Sequence, residues 1–230
     1  MMTSASTFLP RRFTLIDDLV RPDHSYLTAD DICYFLGEYT ARKGYAFSLT
    51  NDLILNFKKS ISTRGTPQWP YKLWAIEYAT GAFRAALDDR DLDAITFVPV
   101  PPSKAKDDPL YDDRVIQMLE AIRSAPPLDI RELVVQTRST AAAHESEMRG
   151  ERRPTPWELE ALYEIDQRLL VPPPREIAIV DDVLTTGLHF RAMKAHLQQT
   201  FPAARIIGLF IARRVPETTD IEDLPPDNVQ

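Results

Sequence analysis

The stretch IAIVDDVLTTGLHF, residues 177–190, carries the strongest structural signal of this 230-residue chain. Four apolar residues, 177–180, predict a buried strand, and two adjacent carboxylates, Asp181 and Asp182, follow it. A Thr-Thr-Gly turn then leads into a segment with helical spacing that begins at Leu188. We therefore predict a strand–turn–helix unit whose acidic pair lies at the carboxyl end of the strand, where open parallel sheets bind ligands.

The flanking segments alternate between strand-like and helix-like patterns. Short apolar runs predict strands at 94–100, 131–137, 175–180 and 205–212. Helical spacing predicts helices at 114–125, 155–170 and 188–201. This alternation predicts an α/β fold: a mainly parallel sheet with helices on both faces.

An N-terminal helical segment is predicted before this unit. Thr28 and Asp31 have capping-box-like spacing, and the apolar residues after them recur at helical intervals over 28–45. Two more helices are predicted at 51–61 and 71–87. The predicted regions are then the helical segment 1–90, the α/β domain 91–215 and an acidic tail 216–230. We expect this tail to be disordered, because its Pro-rich composition disfavours a packed core.

The overall composition limits the functional classes. Hydrophobic residues make up 44% of the chain and charged residues 27%, as in soluble globular proteins, and the net charge is −7. This acidic balance argues against general binding to nucleic acids or membrane surfaces. Cys33 is the single cysteine, which excludes an intrachain disulfide and a cysteine-based zinc cluster. Because no signal-peptide core or membrane-length apolar run is present, we expect a cytoplasmic protein.

The residue types after the predicted strand suit a sugar phosphate. Gly187 lets an anion approach the backbone at a helix N-terminus, and Thr185 and Thr186 add hydroxyl donors. The acidic pair suits vicinal hydroxyls and also Mg²⁺, and we expect it to be solvated at the mouth of the sheet. A single Asp after a strand is more often a cap or turn residue, but the combination of features favours a ligand site.

The same stretch resembles the motif with which type I phosphoribosyltransferases bind phosphoribosyl pyrophosphate (PRPP). The resemblance implies that the acidic pair, Asp181 and Asp182, acts at the ribose hydroxyls and serves as the candidate Mg²⁺ ligands, directly or through water. It also implies that the Thr-Thr-Gly turn, 185–187, binds the 5′-phosphate. His189 stands where the family commonly has Thr or Ser, and a histidine there can still donate a hydrogen bond to the phosphate.

Two other segments are similar to the ComF-like branch of this family. FVPVPPSK, residues 97–104, resembles its pyrophosphate loop and makes Lys104 a candidate catalytic contact, with a solvated surface lysine as the alternative. The second segment, 137–152, resembles its flexible loop and predicts a mobile lid, although an exposed charged loop has the same composition. The candidate lid residues are Arg138, Arg149 and Arg152. The zinc module of that branch is absent.

The resemblance implies Mg²⁺-dependent transfer of phosphoribose between PRPP and a nitrogenous base, with the N-terminal segment as a hood over the acceptor. Thr185 replaces the acid that 6-oxopurine enzymes carry at this position, which disfavours hypoxanthine and guanine. The alternative is a non-catalytic PRPP or nucleotide sensor that acts on a protein partner, because a fold does not fix a function. A helical interaction protein is the least favoured class. The acceptor base and a homo-oligomeric state stay open.

Overall fold

The computed structural model describes residues 9–140 and 155–216. The strands of this part are β1 (Thr14–Leu15), β2 (Ile32–Thr40), β3 (Ile95–Pro99), β4 (Asp129–Ile130), β5 (Val134–Gln136), β6 (Tyr163–Ile165), β7 (Glu176–Leu184) and β8 (Arg205–Val215). Six of them form one sheet in the order β1-β2-β8-β7-β3-β4, in which β1 is antiparallel to β2 and the other pairs are parallel. β5 and β6 form a separate antiparallel pair.

Helices cover both faces of the large sheet. In the described part they are α1 (Leu49–Phe57), α2 (Trp69–Ala86), α3 (Asp89–Ala94), α4 (Arg114–Ile122), α5 (Pro156–Glu160) and α6 (Leu188–Thr200). α1, α2 and α4 contribute to the apolar core on one face, and α5, α6 and the β5–β6 pair contribute to the core on the other. The predicted α/β class, with a mostly parallel sheet, is therefore confirmed. Within the described residues, no helix is both long and apolar enough to cross a membrane.

The apolar start of β7 is explained by burial on both faces. Ala178 and Val180 belong to the core beneath α1, α2 and α4, whereas Ile177 and Ile179 belong to the opposite core. β3 pairs with β7 only as far as Val180, but β8 continues beside β7 beyond that point. The acidic pair is thus the first part of β7 to extend past β3, and the predicted end of the strand at 180 is four residues too early.

The helix predicted over 28–45 is wrong, because this segment contains β2. Ile32, Tyr34 and Leu36 pack toward one core while Cys33 and Phe35 pack toward the other. A short run that is apolar at nearly every position satisfies helical and strand patterns equally, and parallel pairing with β8 determines the outcome. The first 90 residues are therefore not wholly helical, since β2 lies inside the main sheet.

The capping-box pattern in that segment forms a turn instead of a helix start. Asp31 Oδ2 accepts hydrogen bonds from the Thr28 backbone N–H at 2.8 Å and from the Thr28 hydroxyl at 3.0 Å. Asp31 is buried and also pairs with Lys194 of α6 at 2.7 Å. Only one of the two capping-box hydrogen bonds forms, from the Thr28 N–H to the Asp31 carboxylate, because the Asp31 N–H donates to the Thr28 carbonyl. The ion pair of Asp31 with Lys194 joins the entry of β2 to α6.

The helix predicted over 155–170 is also wrong beyond its first turn. Thr155 and Glu158 form the expected capping box, but α5 ends at Glu160 and Tyr163 starts β6. Pairing of β6 with β5, a partner distant in sequence, overrides the helical spacing of 159–170. The strand predicted at 131–137 forms, but in this separate pair.

Other predicted elements agree with the structure. Predicted strands at 94–100 and 205–212 correspond to β3 and β8, and predicted helices at 51–61, 71–87, 114–125 and 188–201 correspond to α1, α2, α4 and α6. Residues 217–230 of the predicted acidic tail lie outside the described residues.

Candidate functional site

The Thr-Thr-Gly turn requires its glycine for two structural reasons. Gly187 caps α6 with a φ of 82°, a left-handed conformation that side chains disfavour. A Cβ at this position would also lie 2.7 Å from Leu27 Cδ2. Both reasons hold without a ligand, so the glycine alone does not identify a binding site.

The backbone of the turn is fixed from the N-terminal segment. The Tyr26 N–H donates to the Thr186 carbonyl at 2.9 Å, and Nδ1 of the buried His24 donates to the Thr185 carbonyl. Because the carbonyl and N–H of a trans peptide point in opposite directions, the amides of Thr186 and Gly187 face away from this segment. With the unpaired amides of the first turn of α6, they form a donor set suited to phosphate.

His189 lies on the first turn of α6 and is a neutral hydrogen-bond donor. Burial, followed by the charge of Lys58, lowers the pKa of His189 to about 4. His189 Nδ1 lies 2.7 Å from the Tyr163 hydroxyl, and burial raises the pKa of Tyr163, which keeps that hydroxyl protonated. If the hydroxyl donates to Nδ1, the proton of the imidazole lies on Nε2, which is then a donor for an anion.

The acidic pair is not the solvated pair that we expected. The Asp182 side chain is 3% exposed, and its two oxygens bind different cations: Lys58 lies 2.9 Å from Oδ1 and Arg114 lies 2.7 Å from Oδ2. Burial raises the pKa of Asp182, but Lys58 and Arg114 outweigh it and hold the pKa well below its usual range. Asp182 is buried because β8 continues beside β7 past the acidic pair. Asp182 therefore lies inside the fold and not at the mouth of the sheet.

Asp181 is in the opposite electrostatic situation. Burial and the neighbouring charge of Asp182 raise the pKa of the Asp181 carboxyl. Its Oδ1 accepts a hydrogen bond from the Asp182 backbone N–H at 2.8 Å. Because neighbouring residues on a strand project to opposite sides, the two carboxylates have different partners. The site therefore contains one ionised carboxylate and one that readily takes a proton.

Asp182 belongs to a longer buried network, which we call the charged chain. Arg114 donates to both Asp182 and Asp112, and the fully buried Lys72 lies 2.8 Å from Asp112. The charged chain comprises Lys58, Asp182, Arg114, Asp112 and Lys72. It connects the end of α1 and the start of α2 to the start of α4 and to β7.

This network is not evident from the sequence. The segment YDDR, residues 111–114, favours a helix cap at Asp112 or Asp113, but Asp113 occupies the N-cap position without a side-chain cap bond. Asp112 accepts the Arg114 N–H and also binds the cations of Arg114 and Lys72. Lys58, in the segment NFKKSI, has the pattern of a solvated helix residue, but it pairs with Asp182. One signal was present: Lys72 falls four residues before Ile76 on the buried face of α2, where a lysine needs buried partners.

The other candidate residues lie elsewhere. Lys104 is half-buried on the loop after β3 and donates to the Thr140 carbonyl at 3.1 Å. Arg138 is exposed and borders a shallow depression of about 410 Å³ whose lining includes Asp107 and Asp108. No hydrogen bond or ion pair of the described residues joins Lys104 or Arg138 to the acidic pair. Arg149 and Arg152 of the predicted lid lie outside the described residues.

A dedicated metal centre is not apparent in the described part of the chain, where no group of three or more His, Cys, Asp or Glu side chains is placed to hold an ion. Both oxygens of Asp182 already bind cations. Of the predicted Mg²⁺ ligands, Asp181 is therefore the residue with the freer carboxylate.

No family model matches the chain, and no curated protein matches its sequence.

Proposed function

We propose that the protein is a phosphoribosyltransferase of the type I class that binds PRPP with Mg²⁺ and transfers phosphoribose to or from a nitrogenous base. The observation that carries the proposal is the orientation of the turn 185–187. Its carbonyls bind His24 and Tyr26, so its amides and the first amides of α6 are directed away from the N-terminal segment. The acidic pair lies on the strand that enters the same turn.

Each part of this unit has a distinct task in the proposed reaction. The amides of Thr186 and Gly187, the threonine hydroxyls and Nε2 of His189 bind the 5′-phosphate. Asp181 and Asp182 accept hydrogen bonds from the ribose hydroxyls, and charge-assisted bonds of this kind are roughly twice as strong as neutral ones. Bound at both ends, the sugar is fixed with its anomeric carbon available to the acceptor.

The leaving diphosphate requires positive charge. Lys58 and Arg114 supply cations beside Asp182, within a partly enclosed region where electrostatic interactions are stronger than in water. Mg²⁺ would be held by the diphosphate and by Asp181, directly or through water, and would neutralise developing charge. Lys104, on the loop after β3, is a further candidate contact for the diphosphate.

A non-catalytic PRPP or nucleotide sensor is the second candidate. The saturation of Asp182 by two cations favours it, because the free carboxylate needed for a fast substrate exchange is already paired. A protein that only reports ligand occupancy breaks this pairing once for each binding event, whereas an enzyme must break it in every catalytic cycle.

One experiment separates these proposals. The protein is incubated with PRPP, Mg²⁺ and a panel of purine and pyrimidine bases, and pyrophosphate release is followed, while calorimetry measures PRPP binding. Release with any base supports the transferase. PRPP binding without release across the panel supports the sensor. Absence of both release and binding contradicts both proposals.

A further inference from the structure

Lys58 is the most exposed member of the charged chain. Its side chain is 43% exposed, whereas that of its partner Asp182 is 3% exposed and that of Lys72 is fully buried. The Lys58 ammonium bonds Oδ1 of Asp182, while Arg114 holds Oδ2 through both Nε, at 3.1 Å, and Nη2, at 2.7 Å. Loss of the Lys58 contact therefore frees one oxygen of Asp182 without releasing the carboxylate from the fold.

The backbone beside Lys58 is held firmly although its side chain is partly exposed. Phe57 and Lys59 flank Lys58 in the chain, and Nζ of Lys72 donates to the carbonyls of both, at 2.8 and 2.9 Å. Lys72 is in turn paired with Asp112. The end of α1 is thus fixed by buried hydrogen bonds, and the movable part of Lys58 is its side chain.

Cations exceed carboxylates in this network. Lys58, Arg114 and Lys72 face Asp112 and Asp182, which leaves one formal positive charge in the charged chain; the neighbouring Asp181 offsets this charge only when it is ionised. Such an excess in a partly enclosed site attracts a multiply charged anion. In a 1-diphosphorylated ribose, the diphosphate is bonded to the carbon next to the one that carries the 2-hydroxyl. A cation displaced from Asp182 by ribose hydroxyls would therefore be adjacent to the diphosphate.

We propose that Lys58 is a diphosphate-binding residue that exchanges partners: it binds Asp182 in the free protein and the diphosphate in the complex, when Asp182 accepts the ribose hydroxyls. The identification of the sugar rests on the proposed function, whereas the anion contact of Lys58 does not. The exchange keeps Asp182 paired in both states, so no buried carboxylate is left without a partner.

Lys59 provides a matched control. It is the next residue and carries the same charge, but its Nζ donates to the Tyr45 hydroxyl at 2.9 Å and lies 4.5 Å from the centre of the Tyr45 ring. Lys58→Gln and Lys59→Gln therefore each remove one positive charge at adjacent positions. Only Lys58→Gln also removes an ion pair with Asp182.

The test is a calorimetric titration of wild type and both variants with inorganic pyrophosphate and, separately, with ribose 5-phosphate. We expect Lys58→Gln to weaken pyrophosphate binding at least about tenfold, equivalent to ~1.4 kcal/mol. Its affinity for ribose 5-phosphate should stay equal or rise, because Lys58 no longer competes for Asp182. Lys59→Gln should match wild type for both ligands, and thermal melts of both variants should show a cooperative transition.

Three results would overturn the inference: no pyrophosphate binding by wild type, unchanged pyrophosphate binding in Lys58→Gln, or an equal loss in Lys59→Gln. Failure of the proposed function has a different signature. Wild type would then bind pyrophosphate in a Lys58-dependent way but bind neither ribose 5-phosphate nor PRPP. That outcome would support the diphosphate contact of Lys58 and contradict the binding of phosphoribose.

Discussion

The acidic pair and the Thr-Thr-Gly turn are three residues apart, yet they are stabilised by different forces. Asp182 is held by the ionic contacts of Lys58 and Arg114, whereas the turn is held by backbone hydrogen bonds and by the shape of Gly187. The first region depends on charge and the second on conformation. A ligand can replace the ionic contacts of Asp182, but it binds to the turn without changing the backbone conformation of the turn.

The largest effect is expected where the charge is most enclosed. Arg114→Met removes the partner that Asp182 and Asp112 share and leaves two carboxylates short of a cation, which should cost about 3–5 kcal/mol of unfolding free energy. Urea denaturation measures this. Arg168→Met is the control, because Arg168 pairs with Asp166 on the surface and is 86% exposed, so its urea midpoint should match wild type. Equal midpoints for the two variants would show that the charged chain does not support the fold.

A substitution that strains the backbone of the turn should lower the unfolding free energy by less than Arg114→Met does. Gly187→Ala forces a Cβ into a left-handed backbone and against Leu27, at a cost of about 1–3 kcal/mol. Gly65→Ala separates the two causes, because Gly65 has a φ of 81° but open space around its Cβ position. Urea midpoints should fall further for Gly187→Ala. An equal fall in both variants would mean that the contact with Leu27 contributes nothing.

The two acidic residues should give opposite pH dependences of stability. The pKa of Asp181 is raised in the folded state, so its contribution to stability is present at acid pH and is lost as pH rises through the raised pKa. The pKa of Asp182 is lowered, so its contribution to stability is present at neutral pH and is lost on acidification. At neutral pH Asp181→Asn should therefore stabilise, and Asp182→Asn destabilise, each by at least about 1 kcal/mol. Urea midpoints from about pH 2 to 8 measure this, because the contribution of Asp181 changes between the ordinary carboxyl pKa and its raised pKa, whereas that of Asp182 changes below the ordinary pKa. Curves of the same slope for both variants would contradict the assignment.

The smallest effect on stability is expected from Lys58→Gln. Its side chain is 43% exposed and Asp182 keeps Arg114, so the loss should be within about 1 kcal/mol, as for exposed ion pairs. Comparison with Arg114→Met then separates the contributions to stability of the two cations that bind Asp182. A loss as large as that of Arg114→Met would show that Lys58 is structural and not free to exchange partners.

Sequence patterns predicted the elements whose signal is local. The run 177–180, the turn and α6 form one local unit, and the sequence identifies each of them in order. β2 and β6 were missed because their pairing partners, β8 and β5, are distant in the chain. Apolar runs of that length do not distinguish a helix from a strand until the partner is known.

The candidate site was predictable only along β7 and its turn. Ligand-like residues in one stretch could be named, but the cations that bind Asp182 come from the end of α1 and the start of α4, 124 and 68 residues away (182 − 58 and 182 − 114). His24, which fixes the Thr185 carbonyl, lies in an irregular segment with no distinctive pattern. Such contacts follow from the packing of layers and not from spacing along the chain.

The central claim, that the turn binds the phosphate of a phosphorylated ribose, is tested most directly by amide NMR. ¹⁵N-labelled protein is titrated with ribose 5-phosphate and, in parallel, with ribose. We predict that the amide resonances of Thr186, Gly187 and His189 shift with ribose 5-phosphate and much less with ribose, because the phosphate bonds these N–H groups. Unchanged resonances at saturating ribose 5-phosphate, or shifts confined to other parts of the chain, would contradict the claim.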